Sequence, residues 1–420
     1  MKFNRKSRNA NEIPVRVWKH HFRGVHFRTT ALMWILSLTT VDAKPLQVFI
    51  LAGQSNMQGH AHIRTIDAMA YDPETASILE DMRDGKGELR TCENVWISSL
   101  GSSEEEKSGK LAAGYGAEQR GPKIGPEYTF GLYLEKWMPD QPILIIKTAW
   151  GGKSIHTDFR PPSAPPYEFS DAQLETFAKQ KKDIDSIKAD KVKATGHYYR
   201  LMMEHVNDVL ADIQRVYPEY DEKSGHELAG FVWFQGWNDM VDQGTYPNRD
   251  QPGGYDQYGK LLATFIRDVR KDLSAPKLPF VIGVIGVNGE TELYGPEQKR
   301  YRGIHQNIRD AMAAPAAIPE FRGNVSAVLT EKYWDYEVTA LRKKEKPIKE
   351  KEKQLREEGT LSREEQQGEV EKLYAETFNE RELDLLRNSV SNAEFHYLGS
   401  ARIMSRIGKG FAEAIMEMQK

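Results

Sequence analysis

Five short apolar runs rich in β-branched residues, separated by long amphipathic stretches, constrain the fold of this chain more than any other feature. They are 47–52 (QVFILA), 143–148 (ILIIKT), 230–234 (GFVWF), 280–287 (FVIGVIGV) and 325–330 (VSAVLT). Each is too short for a buried helix and reads as a strand covered on both faces. Between them apolar residues recur at helical spacing: Met203, Val206, Val209, Leu210, Ile213 and Val216 form one stripe, and 255–273 and 297–313 look similar. Strand and helix in alternation predict a doubly wound α/β domain with a mostly parallel sheet. Ligands in such sheets bind at the carboxyl ends of the strands. A last stripe, Ile403, Ile407, Phe411, Ile415 and Met418, predicts a final helix packed on the sheet.

Composition narrows the function. With 58 Lys+Arg against 61 Asp+Glu the net charge is -3, so nothing draws the whole chain to nucleic acid or anionic lipid. The single Cys92 excludes an intramolecular disulfide, a CxxC redox pair and a cysteine zinc cluster. No two histidines stand at ligand spacing with a third ligand in view, so no metal and no cofactor are expected.

Two segments stand apart from the α/β pattern. Residues before Thr30 are rich in Lys, Arg and His, 31–39 (ALMWILSLT) are apolar, and Val41-Asp42-Ala43 offers small residues for signal-peptidase cleavage. Residues 1–43 thus read as a signal peptide, which implies a secreted or periplasmic protein. The apolar run falls well short of the roughly 20 residues a spanning helix needs, so no membrane association is expected after cleavage. Of the 17 residues in 342–358, 13 are charged with mixed sign. That composition continues to about 387, and 341–387 reads as a solvated helical or disordered insertion. The α/β domain then comprises 44–340 and 388–420.

The chemistry gathers at the ends of the apolar runs. The first runs into Gly53-Gln54-Ser55-Asn56-Met57. A serine on the tight turn from a buried strand to a helix presents its hydroxyl at the carboxyl edge of the sheet. Met57 stands where the G-x-S-x-G elbow of α/β-hydrolases requires glycine, which disfavours that family. The second run ends in Trp150-Gly151-Gly152-Lys153-Ser154 and the third in Gln235-Gly236-Trp237-Asn238-Asp239. Backbone N–H groups of a Gly-Gly turn and an Asn side-chain amide are the donors that hold a developing oxyanion in acyl transfer. His396, on a loop entering the last helix, has the best claim to be the base. His156 is its rival, and His60 and His62 read as surface or pocket residues.

Together these blocks, G-Q-S-N-M, W-G-G-K-S, G-x-N-D and a histidine before the last helix, resemble the SGNH hydrolases in composition and order. The wording ILAGQSNMQG resembles most the branch of sialate O-acetylesterases and acetylxylan esterases. The resemblance covers roughly 46–335 and 388–418. It implies a flavodoxin-like three-layer α/β/α sandwich with a five-stranded sheet. It also implies Ser55 as nucleophile, His396 as base and acid, and Gly152 or Gly151, Asn238 and the Ser55 N–H as oxyanion donors. The reaction implied is hydrolysis of an acetyl ester on a sugar through an acyl-serine. Gln54, Gln235 and Trp237, within the same blocks, are the expected substrate contacts. One departure stands out, because the family's acid three residues before the histidine is here Ala393. Asp239 is the first candidate for the vacant role, ahead of Glu394 and a backbone carbonyl. The rival functions are an esterase of the same fold acting on another short acyl group, and a sugar-binding protein without turnover.

Overall fold

Strand β1 (Leu46–Gly53) forms the middle of the sheet, and the strands it pairs with are far from it in the chain. The computed structural model describes residues 44–420, so the expected signal segment lies outside the described residues. After β1 come the helical turn α1 (Ser55–Gln58), β2 (Ala61–His62), α2 (Pro73–Met82), β3 (Val95–Gly101), β4 (Lys107–Lys110), β5 (Lys123–Ile124), α3 (Pro126–Trp137) and β6 (Ile143–Ala149). Helices α4 (Asp171–Lys179), α5 (Ile184–Ala194) and α6 (His197–Ala211) lead to β7 (His226–Phe234). Then follow α7 (Trp237–Val241), α8 (Asp256–Asp272), β8 (Phe280–Val284), α9 (Arg302–Ala313) and β9 (Val325–Leu329). The last helices are α10 (Tyr336–Glu358), α11 (Arg363–Thr377), α12 (Glu380–Asn388) and α13 (Ala401–Met418).

The sheet has seven strands in the order β4-β3-β6-β1-β7-β8-β9, parallel except between β3 and β4. The five apolar runs supply β6-β1-β7-β8-β9, the strand order of a flavodoxin-like sheet. The expectation of five strands is corrected by β3 and β4, which extend the β6 edge. β3 breaks its apolar run at the buried Ser98, whose hydroxyl donates to Glu106 at 2.7 Å, and the edge strand β4 is polar and mostly exposed, so neither shows a long apolar run.

Alternation along β7 sorts its side chains to two helix layers. Phe231 and Trp233 pack on Phe265 of α8, with ring centroids 6.1 and 4.4 Å apart, while Phe234 meets Phe411 of α13 at 5.4 Å. Phe265 also meets Tyr199 of α6 at 5.5 Å, and α3 joins the α13 side through Phe130, 5.6 Å from Phe49. The charged segment forms α10 to α12, which bury Ile348, Leu355 and Leu385. No helix among the described residues is long and apolar enough to cross a membrane.

Register decides where the chemistry sits. Gly53 pairs with Ala149 on one side and Phe234 on the other, so the turns after β1, β6 and β7 leave the sheet side by side. The chain crosses from β1 to β6 on one side and then to β7 on the other, and that reversal opens a crevice above β1.

Candidate active site

Ser55 opens α1 directly above β1. Gly53 permits the approach, since a Cβ there would come within 2.2 Å of the Phe234 carbonyl oxygen. The first N–H groups of a helix have no partner in it, so the Ser55 N–H is available at this edge. The turn is held from below by Lys147, a charged residue inside β6 that is only 1 % exposed. Its Nζ donates to the Gln58 carbonyl at 2.8 Å, the Tyr115 carbonyl at 2.9 Å and Glu127 Oε2 at 2.7 Å. Burial pulls the Lys147 pKa down, and the buried Glu127 carboxylate opposes that shift.

His396 sits in a tight 3-10 turn, Glu394–Gly399, whose backbone departs from helical geometry at His396, Tyr397 and Leu398. Tyr397 and Leu398 have φ of 52° and 61°, a strained conformation for non-glycine residues. Tertiary bonds hold it. Tyr397 Oη accepts from the Gly286 N–H at 2.8 Å, and the Leu398 carbonyl accepts from the N–H groups of Ser391 and Asn392. Nδ1 of His396 lies 3.1 Å from Asn392 Oδ1, which also accepts the Ala393 N–H at 2.8 Å. An amide oxygen only accepts, so Nδ1 carries the proton and Nε2 keeps its lone pair. Asn56 Nδ2 donates to the Phe395 carbonyl at 3.2 Å, which ties the serine turn to the histidine loop.

The structure brings Ser55, His396, Gly151, Gly152, Asn238 and Trp237 to one cleft of about 960 Å³, with His60, His62 and Phe395 also on its walls. Gly152 has φ of 75° and open space where a side chain would stand, so its backbone faces the cleft. The Gly151 N–H is already taken by Ser102 Oγ at 2.9 Å, which leaves Gly152 as the donor of the pair. Gln54 Nε2 donates to Asn238 Oδ1 at 3.1 Å and thereby fixes which end of the Asn238 amide is free to donate.

Three expectations are corrected. Asp239 does not meet His396: its fully buried carboxylate accepts from Gln235 Nε2 at 2.6 Å, the Ile155 N–H at 2.9 Å, Tyr246 Oη at 3.1 Å and the His156 N–H at 3.2 Å. It pins the loop after β6 instead, and burial raises its pKa against those bonds. Gln54 and Gln235, at 1 % and 2 % exposure, do not face the cleft either. They bond to each other at 3.2 Å and stitch the β1 turn to the β7 turn. Glu394 pairs with Arg342 of α10 at 2.7 Å. The rival base His156 bonds Asp242 at 2.9 Å and holds that carboxyl below the usual carboxylate range. Sequence reading missed Asn56 and Asn392; the one signal was an amide one residue before the vacant acid position.

Among the described residues no three His, Cys, Asp or Glu side chains form a set able to hold a metal ion. Residues 45–317 match the family described as carbohydrate esterase, sialic acid-specific acetylesterase. The chain belongs to this family. It is therefore an ester hydrolase of the SGNH carbohydrate esterase branch. The matched residues include Ser55, Gly152 and Asn238, and His396 lies beyond them. A protein of Arabidopsis thaliana is similar at 17% identity over 68% of this chain and 85% of that one, with a TM-score of 0.37. A carbohydrate acetylesterase from Xanthomonas citri is similar at 15% identity, 68% and 50% coverage and a TM-score of 0.34. NanS is similar at 12% identity, 68% and 78% coverage and a TM-score of 0.36. No curated protein matches the chain.

Proposed function

We propose that this esterase removes O-acetyl groups from an acidic sugar of the sialic acid type through an acyl-serine intermediate. The observation that carries the mechanism is the His396–Asn392 contact at 3.1 Å, in the cleft that Ser55 lines. Ser55 Oγ attacks the acetyl carbonyl carbon and its proton passes to His396 Nε2. The oxyanion takes hydrogen bonds from the N–H groups of Ser55 and Gly152 and from Asn238 Nδ2, donors that act on the transition state. As the tetrahedral intermediate collapses, the sugar hydroxyl leaves with the proton from His396. Water then repeats the sequence on acetyl-Ser55 and releases acetate. Asn392 stands in the acid's role, orienting the imidazole as the asparagine of papain-like proteases does.

Charge supports the acidic sugar over neutral xylan. Arg64, Arg120 and Lys123 line the cleft against Glu118 alone, and Trp237 with Phe395, 5.6 Å apart, offers aromatic faces for a pyranose ring. The basic leader and apolar run at 1–43 support export.

Two measurements test the reading. Hydrolysis of acetylated sialic acid should exceed that of acetylated xylan in kcat/KM, and equal rates would remove the acidic-sugar assignment. Ser55→Ala should cost on the order of 10⁶ in kcat on p-nitrophenyl acetate with the fold intact. A variant keeping a tenth of the activity would refute Ser55 as nucleophile.

A further inference from the structure

The His60 and His396 rings lie parallel, at an interplanar angle of 0°, with centroids 3.8 Å apart. At that separation the two ring faces are in contact, and between two neutral rings such a contact is worth little beyond packing. A cation over an aromatic face is different, because the ring quadrupole attracts it. The contact therefore gains strength when one ring becomes imidazolium, and only such a gain lowers a barrier. The site has need of it. A carboxylate partner would stabilise the imidazolium by charge, whereas Asn392 orients the ring and contributes only a dipole.

The geometry points to His60 as a positioning residue that remains neutral in turnover, holds the His396 ring face-on and stabilises its protonated form. This rests on His396 being the base. The segment that bears His60 is fastened to the histidine loop independently of the rings, since Ser391 Oγ accepts the His62 N–H at 3.1 Å and donates to the Gly399 carbonyl at 2.6 Å. The charged groups facing His60 are Lys123 of β5 and Lys147 of β6, the latter paired with Glu127. With burial and His396 they hold His60 at about 3, below the value of about 4 to which burial brings His396.

His60→Phe keeps a flat π face without ring nitrogens, and His60→Leu fills the space without one. On p-nitrophenyl acetate, His60→Leu should lose roughly tenfold in kcat with KM little changed, and His60→Phe should stay within about threefold of the parent. The acid limb of kcat/KM should move about one pH unit lower in His60→Leu, the same tenfold loss read on the proton, and remain in place in His60→Phe. A His60→Leu enzyme matching the parent, or a His60→Phe enzyme losing tenfold or more, would overturn the inference. Either result, beside an inactive Ser55→Ala enzyme, leaves the serine mechanism standing, whereas an active Ser55→Ala enzyme removes the mechanism itself.

Discussion

Oδ1 of Asn392 accepts from Nδ1 of His396 at 3.1 Å, so an uncharged amide holds the ring that we propose as the base, where the family pattern has a carboxylate. The amide fixes the ring's tautomer as well as an acid would. It does not neutralise the charge that develops on it.

Asn392→Ala should lower kcat by about 10², because the ring loses its orientation and tautomer while Ser55 and the oxyanion donors remain. Asn392→Asp should raise the His396 pKa, since an opposite charge in contact favours the protonated ring. The acid limb of the kcat/KM profile should then shift upward by one unit or more. An Asn392→Ala enzyme with full kcat would assign the orienting role elsewhere.

In the parent enzyme burial brings the His396 pKa down to about 4. As the base must be unprotonated, kcat/KM should rise with a midpoint near pH 4 and stay level to neutrality. Stability should follow the same sign. His60, His305 and His396 titrate at about 3, 4 and 4 when folded, and near 6.5 when unfolded. Below about pH 6.5 the unfolded chain binds more protons, so the melting temperature should fall steadily from pH 7 to pH 4.5. A flat melting temperature over that interval would contradict the neutral state of these histidines.

Asn238→Ala should cost roughly 10²–10³ in kcat with little change in KM, as expected for an oxyanion donor. Gln54→Leu should reproduce part of that loss without touching substrate, because Gln54 Nε2 aligns the Asn238 amide from 3.1 Å. If only KM rises in Asn238→Ala, the residue binds substrate rather than the oxyanion.

Asp239→Ala should destabilise the fold by about 3 kcal/mol or more, because each buried donor left without its acceptor costs about 1–3 kcal/mol. Four donors would lose their acceptor: Gln235, Tyr246 and the N–H groups of Ile155 and His156. Urea denaturation measures the loss directly. Asp239→Ala at parental stability with activity abolished would restore Asp239 to the chemistry.

Much of this protein is legible in the sequence because its signals are local. The five apolar runs dictate the central strands, since a strand buried on both faces must be apolar throughout. The stripe from Ile403 to Ile415 dictates α13, and G-Q-S-N-M, W-G-G-K-S and G-W-N-D mark the strand ends that carry chemistry. The strands β3 and β4 escaped because a buried serine interrupts the apolar run of the first and the second lies exposed at the sheet edge. Tertiary structure alone decided the partners. Asp239 follows Asn238 in the chain, yet its carboxylate turns beneath the sheet edge to the loop after β6, where desolvated N–H groups need an acceptor. His396 takes its partner from Asn392 because the strained turn through Tyr397 and Leu398 folds the loop back on itself. Which polar groups meet depends on which backbone groups burial leaves unsatisfied, and that is fixed only when the strands, loops and last helix close around them.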